Sequence, residues 1–179
     1  MKRFLLSLLI PFATAVVVFA QEYHPTDQGS TVTFKIKNFG FGVDGSFTGL
    51  QGKIVFDPKD PGKASFDVSI DAATVNTDNG SRDGHLKKED YFDVQNHPRI
   101  RFVSTSVTPS GKNGSYTIAG KLTIKATTKD ISFPFTATPK GDDYLFNGEF
   151  TINRKDFGVG GSSTISNSLT VSMAVLAKK

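Results

Sequence analysis

Reactive side chains are scarce in this sequence, and few of them stand at a spacing that chemistry could use. The chain has no cysteine, which excludes a disulfide framework, a thiol nucleophile and a cysteine-ligated metal. Its three histidines, His24, His85 and His97, lie 61 and 12 residues apart, and neither interval matches a metal-binding pattern. The sequence therefore predicts no metal site and no resident cofactor.

Arg82, Asp83 and His85 form the densest polar group, inside a long polar stretch between two apolar runs. Arg82 could meet an anionic or carbonyl group of a ligand, and His85 could donate a hydrogen bond to it. Alternatively, Arg82 and Asp83 tie this stretch to the rest of the protein by charge-assisted hydrogen bonds. The residue types leave both roles open.

Two other polar groups are better explained by structure than by catalysis. Glu89 and Asp90 are adjacent carboxylates, but neighbours in sequence seldom face one another, so we interpret them as a solvated turn. Asn153, Arg154 and Asp156 stand at a predicted strand end, where a structural role is favoured. The nucleophile pattern G-x-S-x-G does not occur in the chain.

Apolar and polar residues alternate along most of the chain beyond residue 20, which indicates strands with one buried and one wet face. Antiparallel sheets show such alternation, whereas parallel strands read as continuous apolar runs. Seven alternating stripes and one bent, glycine-rich segment at residues 46–56 give eight strands. The predicted inward faces carry Phe34, Ile36, Phe66, Val68, Phe102, Ile118, Leu122, Phe133, Phe135, Phe146, Phe150, Val171 and Met173.

The predicted fold class is therefore all-β, with two architectures open. Eight antiparallel strands can form a sandwich, or they can close into a barrel that is filled by side chains or holds one small ligand. Periodicity favours the barrel only slightly, because a sandwich shows the same stripes. Residues 71–97 break the period, and Asp78 or Asn79 could cap a short helix that runs to about Lys88. We interpret this stretch as a partly helical insertion over one end of the sheet.

The first 20 residues have the form of a secretory signal peptide. Lys2 and Arg3 precede an apolar run that ends in small and branched residues before Gln21. A retained anchor is the alternative, although the run is short for a bilayer span of about 20 residues. Residues 21–179 would then form one exported domain without stable membrane insertion. They hold 19 of the 21 basic residues and all 17 acidic ones, a net charge of +2 that gives nucleic acid binding no support.

Four stretches carry motifs that recur together in one known family. Residues 77–102 contain a T-x-N-x-x-R-D-x-H-L segment, then F-D-V, then a proline that leads into a strand. Residues 120–135 and 150–160 carry segments close to G-x-L-T-I-x-G-x-T-K and I-N-R-x-D-F-G, and residues 30–58 read as two opening strands. Together they make the chain resemble the YceI-like family of exported bacterial proteins over essentially all of residues 21–179.

This resemblance implies both a fold and a ligand class. It implies an antiparallel, eight-stranded, lipocalin-like β-barrel with a short α-helical insertion over one end. Its cavity would bind a polyisoprenoid, an isoprenoid quinone or a fatty-acid-like lipid, and the protein would be periplasmic. Arg82, Asp83 and His85 would then be candidates for the lipid head group or for a lid. Dimers are common in the family, so a homodimer is allowed.

The sequence departs from the family pattern at three positions. Gly29 and Asn38 stand where histidines are frequent, and Ala126 stands where glycine is frequent. Any head-group contact that those histidines make elsewhere is therefore in question for this chain.

Two other classes of function stay open at this point. An enzyme acting on a lipid or a small oxidised metabolite would need a titratable pair on the inward stripes, which hold almost none, so we predict no enzymatic activity. A structural or interaction module would have its interior filled by phenylalanine. Five phenylalanines stand at strand ends or bends where no face can be assigned: Phe39, Phe41, Phe47, Phe56 and Phe157.

Overall fold

Antiparallel strands make up most of the protein, as the alternation predicts. The computed structural model describes residues 21–111, 113–161 and 164–179, so the predicted signal peptide at residues 1–20 lies outside the described residues. The strands are β1 (Glu22–Asn38), β2 (Phe41–Phe47), β3 (Gln51–Val55), β4 (Ser65–Asp71), β5 (Arg99–Pro109), β6 (Ser115–Ile124), β7 (Thr127–Lys140), β8 (Asp143–Asn153) and β9 (Ile165–Lys178). One helix, α1 (Gly80–Leu86), lies between β4 and β5.

The sheet closes on itself, which selects the barrel over the sandwich. Each strand from β3 to β8 pairs antiparallel with the next one along the chain, and β9 pairs with β1 from His24 opposite Lys178 to Asn38 opposite Ile165. The other edge of β1 pairs with β2 along residues 32–38 and with β3 at its start. Nine strands therefore fill eight positions, because β2 and β3 act as one bent strand. It begins at Phe41, five residues before the bent strand predicted at residues 46–56.

Glycine permits the bend between β2 and β3. Gly49 has φ +74° and Gly52 has φ +128°, which are conformations that residues with a side chain rarely adopt. A Cβ on Gly52 would also lie only 2.1 Å from the carbonyl oxygen of Asp67 on β4. These two glycines let the chain bend, so that β2 pairs with the second half of β1 and β3 pairs with its start.

Residues 72–98, named here the lid segment, fold over the barrel end where β4 ends and β5 begins. The Asn79 side chain caps α1 by accepting a 3.0 Å hydrogen bond from the backbone N–H of Arg82. Asn79 was one of the two predicted caps; the helix ends at Leu86, two residues before the predicted end. No helix in the described ranges is both long enough and apolar enough to cross a bilayer.

Backbone hydrogen bonds hold the lid segment to the barrel at both ends. Near its start Asn76 exchanges two backbone hydrogen bonds with Ser46 of β2, at 2.8 and 3.0 Å. Near its far end the amide of Gly160, in the loop before β9, donates to the carbonyl of Asp90 at 2.7 Å. The predicted insertion over one end of the sheet is thus confirmed.

Aromatic rings fill the opposite end of the barrel. Phe56 follows β3 and is fully buried, and its ring packs edge to face against four others, with centroids 5.2 to 6.5 Å apart. Such pairs are attractive because the edge of each ring is positive and its face negative. We name this group the aromatic plug; its members are Tyr23, Phe56, Phe66, Tyr116, Phe135, Tyr144 and Phe146. The plug seals the end of the barrel that lies away from the lid segment.

The buried tyrosines of the aromatic plug predict a loss of stability at alkaline pH. Burial raises the pKa of Tyr23 and of Tyr116 above the ordinary value of 10.0. As pH rises, the unfolded chain therefore releases these protons before the folded protein does, and the free energy of unfolding falls from about pH 10 until the folded pKa values are passed. Denaturant unfolding measured between about pH 8 and pH 11 should show this fall, and Tyr116→Phe should reduce it. An equal fall in wild type and Tyr116→Phe would contradict this account.

Candidate functional site

An elongated cavity runs inside the barrel between the aromatic plug and the lid segment. Its volume is about 260 Å³, which is far more than the water-sized voids of a filled interior. The filled-core alternative is therefore wrong for this protein. All thirteen residues that the alternation places inward line the cavity: Phe34, Ile36, Phe66, Val68, Phe102, Ile118, Leu122, Phe133, Phe135, Phe146, Phe150, Val171 and Met173. Their contact with a lipid stays a prediction.

The cavity is long and narrow. Along β9 it extends from Ile165 to Val175, which is about 25 Å along the barrel axis at about 3.4 Å per residue and a strand tilt of about 40°. Dividing the volume by this length gives a cross-section of roughly 10 Å² that the centre of a water-sized sphere can occupy. Adding the radius of the sphere on each side gives a bore about 6 Å wide. This shape suits one extended hydrocarbon chain.

Three phenylalanine rings lie along the wall instead of across the bore, because each one faces a glycine on the neighbouring strand. A Cβ on Gly45 would lie 2.2 Å from the ring of Phe34, and one on Gly120 would lie 2.5 Å from the ring of Phe102. Gly148 stands in the same relation to Phe133, at 3.2 Å. The missing side chains give the rings room to lie flat, which helps to keep the bore open.

Arg82 and Asp83 bind the same buried threonine of the lid segment. Arg82 donates from Nε to Oγ1 of Thr77 and from Nη2 to its carbonyl, both at 2.7 Å. The Asp83 carboxylate accepts from the Thr77 amide at 2.9 Å and from the Thr77 hydroxyl. Both residues therefore have the structural role that the sequence left open. Arg82 and Thr77 also line the cavity, whereas Asp83 is not among the lining residues of the described chain.

His85 lies away from the cavity. It is exposed on α1, and its ring meets the ring of Tyr91 edge to face at 4.9 Å. It is not among the described residues that line the cavity. Of the three predicted head-group or lid candidates, only Arg82 combines a place in the lid segment with a place in the cavity wall.

The lid segment supplies wall residues that the sequence pattern did not identify. Leu86, Tyr91 and Phe92 line the cavity from above, and the ring of Phe92 packs edge to face on Phe47 of β2 at 5.4 Å. These residues show no period, because the segment that carries them is mostly turns. Only their isolated apolar character within a polar stretch could have indicated them.

Arg154 is a buried cation at the lid end of the barrel. It is 4% exposed, and its guanidinium donates to the carbonyls of Val159, Gly160, Ile165 and Ser166 at 2.7 to 3.0 Å. These bonds hold the loop between β8 and β9 in place, in agreement with the structural role that the sequence favoured. Arg154 also lines the cavity.

Asn38 provides a polar atom that the sequence did not assign to the site. It lines the cavity at the end of β1, and its Oδ1 is buried without a hydrogen-bond partner among the described residues. An unmade hydrogen bond of this kind costs about 1–3 kcal/mol, and folded proteins leave few of them. The sequence marked Asn38 only as a departure from the family pattern.

The described part of the cavity wall offers no pair of groups for acid–base catalysis. Its ionisable residues are Arg82, Arg101, Arg154 and Tyr91, with no carboxylate or histidine. The described ranges also contain no cluster of three histidine or carboxylate side chains that could hold a metal. General acid–base chemistry needs a group that exchanges protons near the working pH, so this geometry gives the enzyme alternative no support.

A closed barrel of eight strand positions around an apolar, lidded cavity defines a class: the lipocalin-like β-barrels with interior space for one small ligand. Within this class, the model of the YceI-like domain matches residues 23–177. The chain belongs to the YceI-like family, as the resemblance of its motifs predicted.

Relatives and solved structures match most of the chain. A UPF0312 protein of Pseudomonas fluorescens is 35% identical over 173 residues, covering 88% of this chain and 87% of the relative. The crystal structure of BcnA from Burkholderia cenocepacia superposes with a TM-score of 0.80 at 26% identity, covering 84% of this chain and 98% of BcnA. A polyisoprenoid binding domain from Saccharophagus degradans, implicated in plant cell wall breakdown, has a TM-score of 0.70 at 13% identity, covering 87% and 97%; this last likeness shows the fold alone.

Removing the charge of Asp83 should loosen the lid segment. Asp83→Asn keeps the size of the side chain but weakens both bonds to Thr77, so we expect a loss of about 1 kcal/mol of unfolding free energy and faster amide exchange across residues 72–98. Asp78→Asn is the matched control, because Asp78 is exposed on the same segment and asparagine tolerates its φ of +57°. Unchanged hydrogen exchange in Asp83→Asn would contradict the anchoring role.

Proposed function

We propose that this protein is an exported, periplasmic lipid-binding protein that holds one long-chain amphiphile for sequestration, transport or storage. The chain would be an isoprenoid, an isoprenoid quinone or a fatty-acid-like lipid. One observation carries the proposal: the cavity is a narrow apolar bore that is sealed by aromatic rings at one end and edged by polar groups at the other. An apolar tail fits the bore, and a polar head fits the lid end.

Burial of the tail would supply the affinity. Each methylene-sized group taken out of water contributes about 0.8 kcal/mol, so twelve such groups contribute about 10 kcal/mol before the chain is ordered. Ordering a flexible chain removes part of this. An apolar wall distinguishes poorly between tails that differ by one methylene group. Selectivity would therefore depend on the length of the bore and on the polar residues at its lid end.

Among the proposed ligands, those polar residues favour a small head group with a hydrogen-bond donor, such as an alcohol, an amide or a reduced quinol, over an oxidised quinone. The unpaired Oδ1 of Asn38 would accept from a hydroxyl or an amide N–H. Arg82 is the cationic residue that the lid segment contributes to the cavity wall, and two of its nitrogens already donate to Thr77. A neutral head group therefore suits this end better than a diphosphate, which needs several free cationic donors.

The related proteins and the N-terminus support the same proposal. The Saccharophagus degradans domain, named for polyisoprenoid binding, has the same barrel, although the ligand class proposed here rests on the chemistry of this cavity. Residues 1–20 have the form of a signal peptide, and a chain without cysteine needs no disulfide chemistry after export. An intact mass that begins at Gln21, measured on protein from the periplasmic fraction, would support export.

Recovery of the native ligand tests the function directly. The protein is purified without detergent and extracted with organic solvent, and mass spectrometry should find a long-chain amphiphile in stoichiometric amount. Val171→Trp places a large ring in the bore and should abolish this recovery, whereas Thr151→Trp changes an exposed residue on β8 and should not. Circular dichroism shows whether both variants fold. No stoichiometric amphiphile in wild type, together with no uptake of added prenyl lipids, would reject the proposal.

Asn38→Leu tests the proposed head-group contact. Removing a buried unpaired oxygen should raise the unfolding free energy of the empty protein by about 1 kcal/mol. The same change should lower the affinity for a prenol or a fatty amide about tenfold, and should leave the affinity for the hydrocarbon of the same length unchanged. Competition against a fluorescent fatty acid measures both affinities. Equal losses for the polar ligand and the hydrocarbon would show that Asn38 does not contact the head group.

A further inference from the structure

The turn between β1 and β2 exposes two phenylalanines to solvent. Phe39 is 72% exposed and Phe41 is 77% exposed. In the described part of the chain, these two are the large hydrophobic residues that are exposed to solvent. A single exposed apolar residue is ordinary, but two large ones side by side at the tip of a hairpin indicate a contact surface. We name residues 39–41 the aromatic tip.

The fold itself gives no reason for phenylalanine at position 39. Phe39 and Gly40 both have positive φ, +49° and +82°, which is the turn geometry that prefers Asn-Gly. A bulky residue at positive φ is unfavourable, and the Phe39 ring gains little burial in return. Phe39 is therefore worse for the turn than asparagine would be, which indicates a role outside the folding of this chain.

Positive charge lies beside the aromatic tip. Lys37, Gly40 and Lys155 line a shallow surface notch together with Thr164, Ser166 and Asn167, and no carboxylate is among the described residues of that notch. The nearest acid on β2, Asp44, is paired with Lys35 at 3.3 Å. Lys155 donates to the carbonyl of Gly160 at 2.8 Å, and this acceptor is neutral. Apolar rings next to unneutralised lysines are complementary to an anionic bilayer surface.

The aromatic tip is also continuous with the cavity. Asn38 and Val43 flank it on β1 and β2, and both line the cavity wall. The tip lies at the lid end of the barrel, away from the aromatic plug. A surface held against this tip would therefore face the end of the cavity that carries the polar residues.

We propose that the aromatic tip is a membrane-docking element for anionic phospholipid bilayers. Phe39 and Phe41 insert among the acyl chains at the interface, and Lys37 and Lys155 lie at the level of the head groups. Docking in this pose presents the lid end of the cavity to the bilayer. This inference goes beyond the proposed lipid binding and does not require the cavity to be occupied.

Vesicle flotation with the chain from residue 21 onward, which contains the whole barrel, tests the proposal. Wild type should bind vesicles that contain phosphatidylglycerol more tightly than vesicles of phosphatidylcholine alone, and added salt should weaken the binding. The double variant Phe39→Asn with Phe41→Thr should bind at least tenfold more weakly, and Lys37→Gln about fivefold more weakly. Lys140→Gln, at the turn between β7 and β8 on the opposite end, is the charge-matched control and should bind like wild type. Phe39→Asn alone should not lower the Tm, because asparagine suits positive φ.

Equal vesicle binding by wild type and the double variant would overturn the proposal. If the double variant also changed from dimer to monomer in analytical ultracentrifugation, the tip would instead be an interface between copies of this chain. Mass spectrometry of lipid bound to the double variant separates membrane docking by the tip from the proposed lipid binding in the cavity. Retained cargo with lost vesicle binding supports docking by the tip, whereas absent cargo in wild type bears only on the cavity.

Discussion

Pairing between the first and last strands is the constraint on which the rest of the structure depends. The ladder from His24 opposite Lys178 to Asn38 opposite Ile165 closes the sheet, so β1 and β9 pair with each other instead of forming two open edges. Closure also fixes the direction of every side chain, because alternate residues must point to the axis or to solvent. A sheet of these strands that stayed open would have an apolar face but no enclosed bore.

Closure alone does not make a cavity, since an eight-stranded barrel is just narrow enough for side chains to fill. Here the interior is divided along its length. Around Phe56 four rings pack edge to face, with centroids 5.2 to 6.5 Å from its own. Further along, Phe34, Phe102 and Phe133 lie over glycines of neighbouring strands, so the same residue type forms a wall instead of a core. These three rings also pack against other aromatic rings, but each has a glycine of the neighbouring strand to lie against.

The lid end concentrates the polar groups that the barrel interior excludes. Arg154 satisfies its charge with backbone carbonyls, and Arg82 and Asp83 are joined through Thr77. Asn38 is the exception, with a buried oxygen that the described residues leave unsatisfied. In the proposed function, this oxygen accepts a hydrogen bond from the head group of the ligand. The aromatic tip lies next to Asn38, at this same end of the molecule.

The sequence by itself determined the strands, the inward residues and the family. Alternation is a local property with a period of two, so Phe34, Phe133 and Val171 could be assigned to one face without knowledge of their neighbours. The helix cap could also be predicted to within one residue, as Asp78 or Asn79, because a capping side chain bonds within its own first turn. Motif order along the whole chain then indicated the YceI-like family.

Only the tertiary structure decided which inward residues join the aromatic plug and which lie over a glycine in the cavity wall. That distinction depends on residues opposite each other on different strands, such as Phe34 and Gly45, and register is a long-range property. The same reason explains the unassigned phenylalanines: Phe56 is fully buried and Phe39 is mostly exposed, although both stand at strand ends. His85 lies outside the cavity because the turns of the lid segment carry no period from which its direction could be read. Local pattern sets which way a side chain points from its own strand, and closure of the sheet sets what it meets.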